Sequence, residues 1–500
     1  MRLFLDSMFD RKMYILNFIE SSKNPVTIKE ITEKTGLSKK TVSKVVKEFA
    51  HEHDKHKGNF ETVCINGKIK NVQAQNLDLE GISSNYLKQS ILYEMIKELF
   101  LYDNIDAIKF CDLKFISTST FSRYRKKLQG ILRSCGLSLS RTNQIIGDEL
   151  QIRNFFLLFF SSSGSQWEFD IQEFEFLNKY LSRKLSNWNS YTFQERKKII
   201  LIIHISNVRF RQRNLFYPMR LQKIAELHTD SIYTKVLYDY FSIYKNKNKQ
   251  QLWNELSIAL FFLYKERLIK EELDMEAYNN YFSSEKFSFV YMSEKFTKKI
   301  IDFFFDGAQD INLYWRIRQE MDLFHLQLEL CFIDSHLFYY IYDEKNLFHL
   351  DPFEEEIRRK VAIIFKELKS NDLYRKLFFS IKESAILEYL YLMIYTLVAE
   401  FSITKVEPIK IVLKNSKVFV KDILENKITS FFGESIKIVN INEPVDIVVT
   451  DISIPSLSEE IQSVYVTTFS DLSDLSTLFG EISSLIIKKF DDRKMITIDS

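Results

Sequence analysis

Apolar residues recur along most of this chain at helical spacing, and the breaks in that pattern mark out its modules. Over residues 8–21 (MFDRKMYILNFIES), Met8, Ile15, Phe18 and Ile19 share one helical face. Pro25 interrupts the run. Thr27, with Glu30 three residues later, predicts the capped start of a short helix, Ile28 to Lys34. Thr35-Gly36-Leu37 predicts a tight corner, where Gly36 supplies the backbone freedom required. Ser38 then caps a helix from Lys39 to Ala50. Helix, glycine turn, helix is the spacing of a helix-turn-helix. Two β-runs around Asn66-Gly67 in TVCINGKIKNV predict a hairpin behind it. Residues 1–75 thus read as a winged helix-turn-helix.

The plan repeats over 80–160. SNYLKQSILYEMIKELFLY (84–102) predicts one strongly apolar helix, followed by a short segment, Asn104 to Phe110. A second helix, capped by Ser117 or Thr118, carries Phe121, Tyr124, Leu128, Ile131 and Leu132 as its buried stripe. Gly136 ends it, and Leu137 to Ile146 supplies a second wing. Between Asp148 and Phe432 the only glycines are Gly164, in the linker SSSGSQ, and Gly307. Helical periodicity there predicts two helical domains, 165–280 and 285–402. Beyond Phe401 the runs PIKIVL, SIKIVNI, VDIVVTD and SVYVTT alternate with helical stretches 417–431 and 471–488, which predicts a small parallel α/β domain at 405–500. The expected fold class is therefore mainly α, with a small α/β tail. Ala385 to Phe401 contains Glu388 and Glu400 and is shorter than the ~20 residues a membrane span needs, so it reads as a core helix.

Charge changes the picture for the first third only. The net charge of +2 hides 24 Lys+Arg against 18 Asp+Glu in residues 1–150, and 69−24=45 against 67−18=49 in the rest. A basic third on a slightly acidic body points to a polyanion partner for that third. In the first recognition helix Leu37, Val42, Val45, Val46 and Phe49 face inward; Lys39, Lys40, Ser43, Lys44 and Lys47 are left outward, with Ser38 and Thr41 near its start. The second offers Thr118, Ser119, Thr120, Ser122, Arg123, Arg125, Lys126 and Lys127, in a stretch from Asp112 to Asp148 with no acid between and seven Lys/Arg. Such cations neutralise phosphates, and short polar side chains near a helix start reach base edges. A solvated charged face is the plainer reading of either helix alone, but two tandem modules favour double-stranded DNA.

Cys64, Cys111, Cys135 and Cys331 form no CxxC pair, so neither zinc nor a disulfide framework is indicated. Asp6, Asp10, Arg11 and Lys12 interrupt any signal-peptide run, which predicts a cytoplasmic protein. His51, His53 and His56 around Asp54 read as a solvated helix end rather than a metal site. No cofactor and no catalytic cluster is expected.

With the modules in view, the chain resembles the Mga family of global virulence regulators of Gram-positive cocci, to which the anthrax toxin activator is related. STSTFSRYRKKL resembles the second helix-turn-helix of that family. The resemblance implies a transcription activator whose helical domains are phosphotransferase-regulation domains (PRDs), sensing sugar transport through histidine phosphorylation by a phosphocarrier protein. KKIILIIHISNVRFRQRN is similar to the first histidine motif of such domains, which makes His204 the candidate, with Arg209, Arg211 and Arg213 to hold the added charge. A partly buried core histidine is the competing reading. Phe261 and Phe262 stand where that domain's second histidine would fall, and MDLFHLQLELCFIDSHLF offers His325 in the next domain without accompanying arginines. The tail resembles the IIB component of sugar phosphotransferase systems, but LKNSKVF lacks its cysteine. The implied role of the tail is self-association into a homodimer. Two other classes compete. A phosphotransferase-system enzyme component would need a reactive Cys or His in the tail, and none follows His349. A plasmid replication initiator also pairs winged helices, but does not predict two sensing domains or an α/β tail.

Overall fold

A computed structural model gives the structure of the protein at all residues except 23, 53–58, 66–67, 76, 165, 213–220, 222–223, 228, 244–247, 284–288, 306, 308, 339–351, 370–382, 403–407, 415–417, 441–443, 452–461, 467–471 and 497–500. The chain divides into two compact units. One comprises Met1–Thr297, Arg318–Phe348 and Ser370–Ile386; the other comprises Lys298–Ile317, His349–Lys369 and Leu387–Ser500.

The first unit opens with α1 (Ser7–Ser21), β1 (Val26–Thr27), α2 (Ile28–Thr35), α3 (Lys39–Glu52) and the antiparallel pair β2 (Asn59–Ile65) and β3 (Lys68–Gln75). Thr27 and Glu30 form the capping box: the Thr27 amide donates to Glu30 Oε2 at 2.6 Å and the Glu30 amide to Thr27 Oγ1 at 3.2 Å. Gly36 ends α2 at φ +68°, the left-handed conformation its corner demands. β1 pairs with β3 through Val26 and Val72, closing the hairpin onto the helices. On α1 the buried face is Phe9, Met13, Ile15, Leu16 and Ile19, while Met8 is exposed, a rotation of one residue from the expected stripe at its start.

The expected single helix over 84–102 is two, α4 (Leu79–Lys88) and α5 (Ile91–Tyr102). They break at Ser90, whose hydroxyl donates to Tyr86 O at 2.9 Å and accepts the Asp6 amide at 3.0 Å. Next come α6 (Ala107–Lys114), α7 (Thr118–Ser134) and the short antiparallel pair β4 (Ser138–Leu139) and β5 (Ile145–Ile146).

The body of this unit is built around helices buried on all sides. α8 (Glu149–Ser161) buries Phe155, Phe156, Phe159 and Phe160, each worth roughly 1.5–3 kcal/mol on full burial. After α9 (Ile171–Lys184), α10 (Phe193–Arg211) packs against α8, α9 and α13. It is followed by α11 (Ile224–Leu227), α12 (Ile232–Phe241), α13 (Lys249–Lys265) and α14 (Glu272–Phe282). Phe261 and Phe262 lie buried in the core of α13. A buried ion network joins three of these helices. Arg153 bonds Glu149 Oε1 at 2.9 Å and both carboxylate oxygens of Glu255, and Arg209 grips Glu149 at 2.9 and 2.7 Å. Removing one partner of such a network costs about 3–5 kcal/mol, because it strands a buried charge. α15 (Val290–Phe304) and α16 (Ile311–Leu330) run on from here, and the division between units falls within both.

In the second unit, α17 (Pro352–Lys369) and α18 (Glu383–Ser402), whose first turn belongs to the other unit, precede the α/β tail. The tail contains β6 (Ile409–Lys414), α19 (Val418–Phe432), β7 (Ile436–Ile438), β8 (Ile447–Thr450), β9 (Gln462–Tyr465) and α20 (Leu472–Ile496). Its strands form one parallel sheet in the order β7-β6-β8-β9. Ile409, Ile411 and Leu413 of β6 share a core with Leu424, Ile428, Leu478 and Ile482 from the two helices. No helix among the described residues is long and apolar enough to cross a membrane.

Candidate DNA-binding surfaces and the His204 cavity

On α3 the alternation of faces holds. Val42, Val45, Val46 and Phe49 are buried, and Lys39, Lys40, Lys44 and Lys47 are exposed. Lys44 lies 3.6 Å from Glu48, which also receives the buried Lys12 at 3.1 Å. Ser38 is the cap: its Oγ accepts the Thr41 amide at 3.2 Å and lies 2.9 Å from Thr41 Oγ1, while Ser43 is half-buried. His53 and His56 lie outside the described residues, as does the side chain of His51. Among the described residues no group of three or more His, Cys, Asp and Glu is placed to hold a metal ion.

α6 and α7 meet at Phe115, which occupies the left-handed region at φ +52° where the first module has Gly36. Its ring is 96% exposed, so packing does not repay the strained conformation. Ser117 caps α7, accepting the Thr120 amide at 3.1 Å. Thr118, Ser119 and Ser122 are exposed and Thr120 is half-buried.

The four basic residues that follow are not equivalent. Arg123 and Lys126 are exposed. Arg125 turns back onto the hairpin, its Nε donating to Asn143 Oδ1 at 2.6 Å and its Nη2 to Ser140 O at 2.7 Å. Asn143 in turn donates to Ile105 O at 3.0 Å. Lys127 Nζ donates to Leu5 O at 3.1 Å, and burial lowers its pKa against the pull of Asp6 and Asp10. The four residues expected to face DNA are thus engaged differently in the structure. Arg125 clamps the hairpin, whereas Arg123, Lys126 and Lys127 are all exposed, Lys127 with its ammonium bonded to the chain's first turn.

Deeper in the same unit, α10 starts at the capping box of Thr192 and Glu195 and carries His204 at 5% exposure. Phe169 lies 4.5 Å from the imidazole, centroid to centroid, and Phe100 and Trp167 lie at 5.6 Å. Nδ1 is 3.0 Å from Glu173 Oε1 of α9. That approach is off-axis for a hydrogen bond, and neither ring nitrogen makes an aligned one, so it is a close polar contact. Burial works to raise the Glu173 carboxyl, but His204, Asn207 and Arg211 together leave its pKa lowered. The ring lines a cavity of about 630 Å³ with Lys97, Phe169, Glu173, Arg211 and Gln212.

The three arginines expected around His204 separate. Arg209 is spent in the ion network, Arg211 lines the cavity, and Arg213 lies outside the described residues. Lys97 and Glu173 went unnoticed in the sequence because nothing in their spacing ties them to His204; α5 and α9 bring them there by packing. His325 sits elsewhere, fully buried among Phe289, Phe296 and Phe324, with Nδ1 2.9 Å from Ser293 Oγ. Burial lowers its pKa to about 3. The His325 ring is fully buried and its Nδ1 is already engaged by Ser293, whereas His204 lines a cavity.

No curated protein matches the chain. Residues 75–160, from the last residue of β3 into the last turn of α8, match the family model of the Mga helix-turn-helix domain. This stretch holds α6, the Phe115 turn, α7 and the hairpin clamped by Arg125. Residues 75–160 therefore belong to the Mga helix-turn-helix family, the family the sequence resembles.

Proposed function

We propose that the protein is a cytoplasmic transcription activator that reads double-stranded DNA through two winged helix-turn-helix modules and is tuned by phosphorylation of His204. The observation that carries the DNA-binding reading is the Mga helix-turn-helix domain at 75–160, with Arg123 and Lys126 outward on its second helix. The first module adds a second basic helix, with Lys39, Lys40, Lys44 and Lys47 exposed beside a β-hairpin. The protein acts as a regulator rather than an enzyme.

Three features support phosphorylation at His204. The ring lines a cavity, Nε2 is buried without a hydrogen-bond partner among the described residues, and Arg211 and Lys97 are at hand for the added charge. The Glu173 carboxylate 3.0 Å from Nδ1 favours the tautomer with its proton there, which leaves the lone pair on Nε2. Self-association through the tail fits the exposure of Phe419 and Phe431 on α19 and of Tyr465 on the edge strand β9. The test is incubation of the full chain with the general phosphotransferase proteins and labelled phosphoenolpyruvate. The wild type is expected to take up acid-labile label and His204→Gln to lose most of it. Full labelling of His204→Gln removes His204 from the proposal.

A further inference from the structure

The His204 cavity is not confined to the helical body. Its wall includes Lys97 and Leu101, both on α5 and both within the Mga helix-turn-helix domain. α5 is fastened to the helix that carries His204 at three points. Phe100 places its ring 5.6 Å from the imidazole. Gln212, at the end of α10, donates to Phe100 O at 2.9 Å and Leu101 O at 3.1 Å. Arg209 Nη1 donates to Asp103 Oδ1 at 2.9 Å, and Asp103 Oδ2 in turn accepts from Gln144 of the second hairpin. On its other side α5 packs against α7, the recognition helix of the module. Lys97 Nζ donates to Glu168 O at 3.2 Å, and among the described residues this neutral carbonyl is what holds the ammonium at the cavity.

We infer that Lys97 is the residue through which the DNA-binding module senses the state of His204: a phosphoryl group on Nε2 takes the Lys97 ammonium as a partner. This rests on the proposed phosphorylation of His204. The added group carries a charge of about −2 with three acceptor oxygens. It stands in a pocket lined by Glu168, Asp170 and Glu173, so it requires cations, and a charge-assisted bond outcompetes the one Lys97 makes to a carbonyl. Lys97 and Arg211 approach from different modules, so the dianion adds a bond across the α5–α10 seam that the unmodified protein lacks. Because α5 supports α7 directly, the bond biases the recognition helix without any movement of the second unit.

The test uses the full chain and phosphoramidate, a small phosphoryl donor that needs no protein partner. The Nε2 lone pair attacks phosphorus, the Nε2–P bond forms, and the P–N bond breaks to release ammonia. The Nδ1 proton stays on the ring facing Glu173. Label is mapped with His204→Gln as the control, and affinity for a fluorescent random-sequence duplex is measured at fixed salt before and after treatment. The wild type is expected to shift its DNA affinity by at least about fivefold, the lower range of allosteric coupling. Lys97→Met, which keeps the aliphatic stem, is expected to accept label at His204 with DNA affinity unchanged by treatment, and Lys97→Arg to restore the response. Labelled Lys97→Met that responds as the wild type does overturns the role of Lys97 and leaves His204 phosphorylation standing. Failure of the wild type to label at His204 overturns both. Circular dichroism of each variant establishes that it is folded.

Discussion

Arg125 and its neighbours Arg123 and Lys126 share one helix and one charge sign, yet their replacement is expected to fail in different ways. Arg125→Met removes two charge-assisted hydrogen bonds, of 2.6 and 2.7 Å, and leaves Asn143 Oδ1 and Ser140 O without that donor. Bonds of this kind contribute ~1.5–3 kcal/mol each; the site is half-buried, and discounting for solvent puts the loss at about 2–4 kcal/mol. The hairpin loosens, the urea midpoint falls, and DNA affinity drops only as far as the wing is disturbed. The double variant Arg123→Ala, Lys126→Ala strands no buried group, so stability stays within about 0.5 kcal/mol. Each phosphate left without its cation makes the plot of log K against log salt shallower by about 0.9, or about 1.8 for the pair. The assays are urea denaturation and duplex binding across a salt series. If Arg125→Met flattens the salt slope as much as the double variant and leaves the midpoint unchanged, the assignment of Arg125 to the wing is wrong.

The remaining predictions concern the core and the turn. With the folded pKa of His325 lowered to about 3 by burial, and an ordinary value near 6.5, the unfolded chain binds the proton between those limits and the folded one does not. Stability is then lost as pH falls through about 6.5, by about 2 kcal/mol between pH 7 and pH 5. His325→Asn, which does not titrate, is expected to lose that part of the pH dependence; equal midpoint shifts in wild type and variant between the two pH values would refute it. Phe115→Gly relieves a left-handed backbone and gives up no packing, since the ring is exposed. After the larger chain entropy of glycine is set against that relief, a gain of up to about 1 kcal/mol is expected in thermal or urea unfolding, and a clear loss would mean that the ring packs somewhere.

What the sequence determined by itself was whatever depends on neighbours a few residues apart. Thr27 and Glu30, three positions apart, specify a capping box, and Gly36 a left-handed corner, because each acts through its own backbone. The alternation of β-branched runs with helices after Phe401 likewise foretold a parallel sheet, since one strand direction requires those crossovers. Local signals also misled. The turn before α7 carries Phe115 where glycine is the cue, and a continuous apolar run concealed the break at Ser90. Charge counting gave Arg123, Arg125, Lys126 and Lys127 one role. Each step along a helix turns a side chain by about 100°, so adjacent cations can point to solvent or back onto their own domain, and only the position of the hairpin decides which. The same holds for the two histidines. Each lies on a helix of similar apolar character, but α5 and α9 leave a cavity beside His204, whereas Phe289, Phe296 and Phe324 close over His325. Lys97 and Glu173 reach His204 from helices remote in the chain, through packing that no local periodicity encodes.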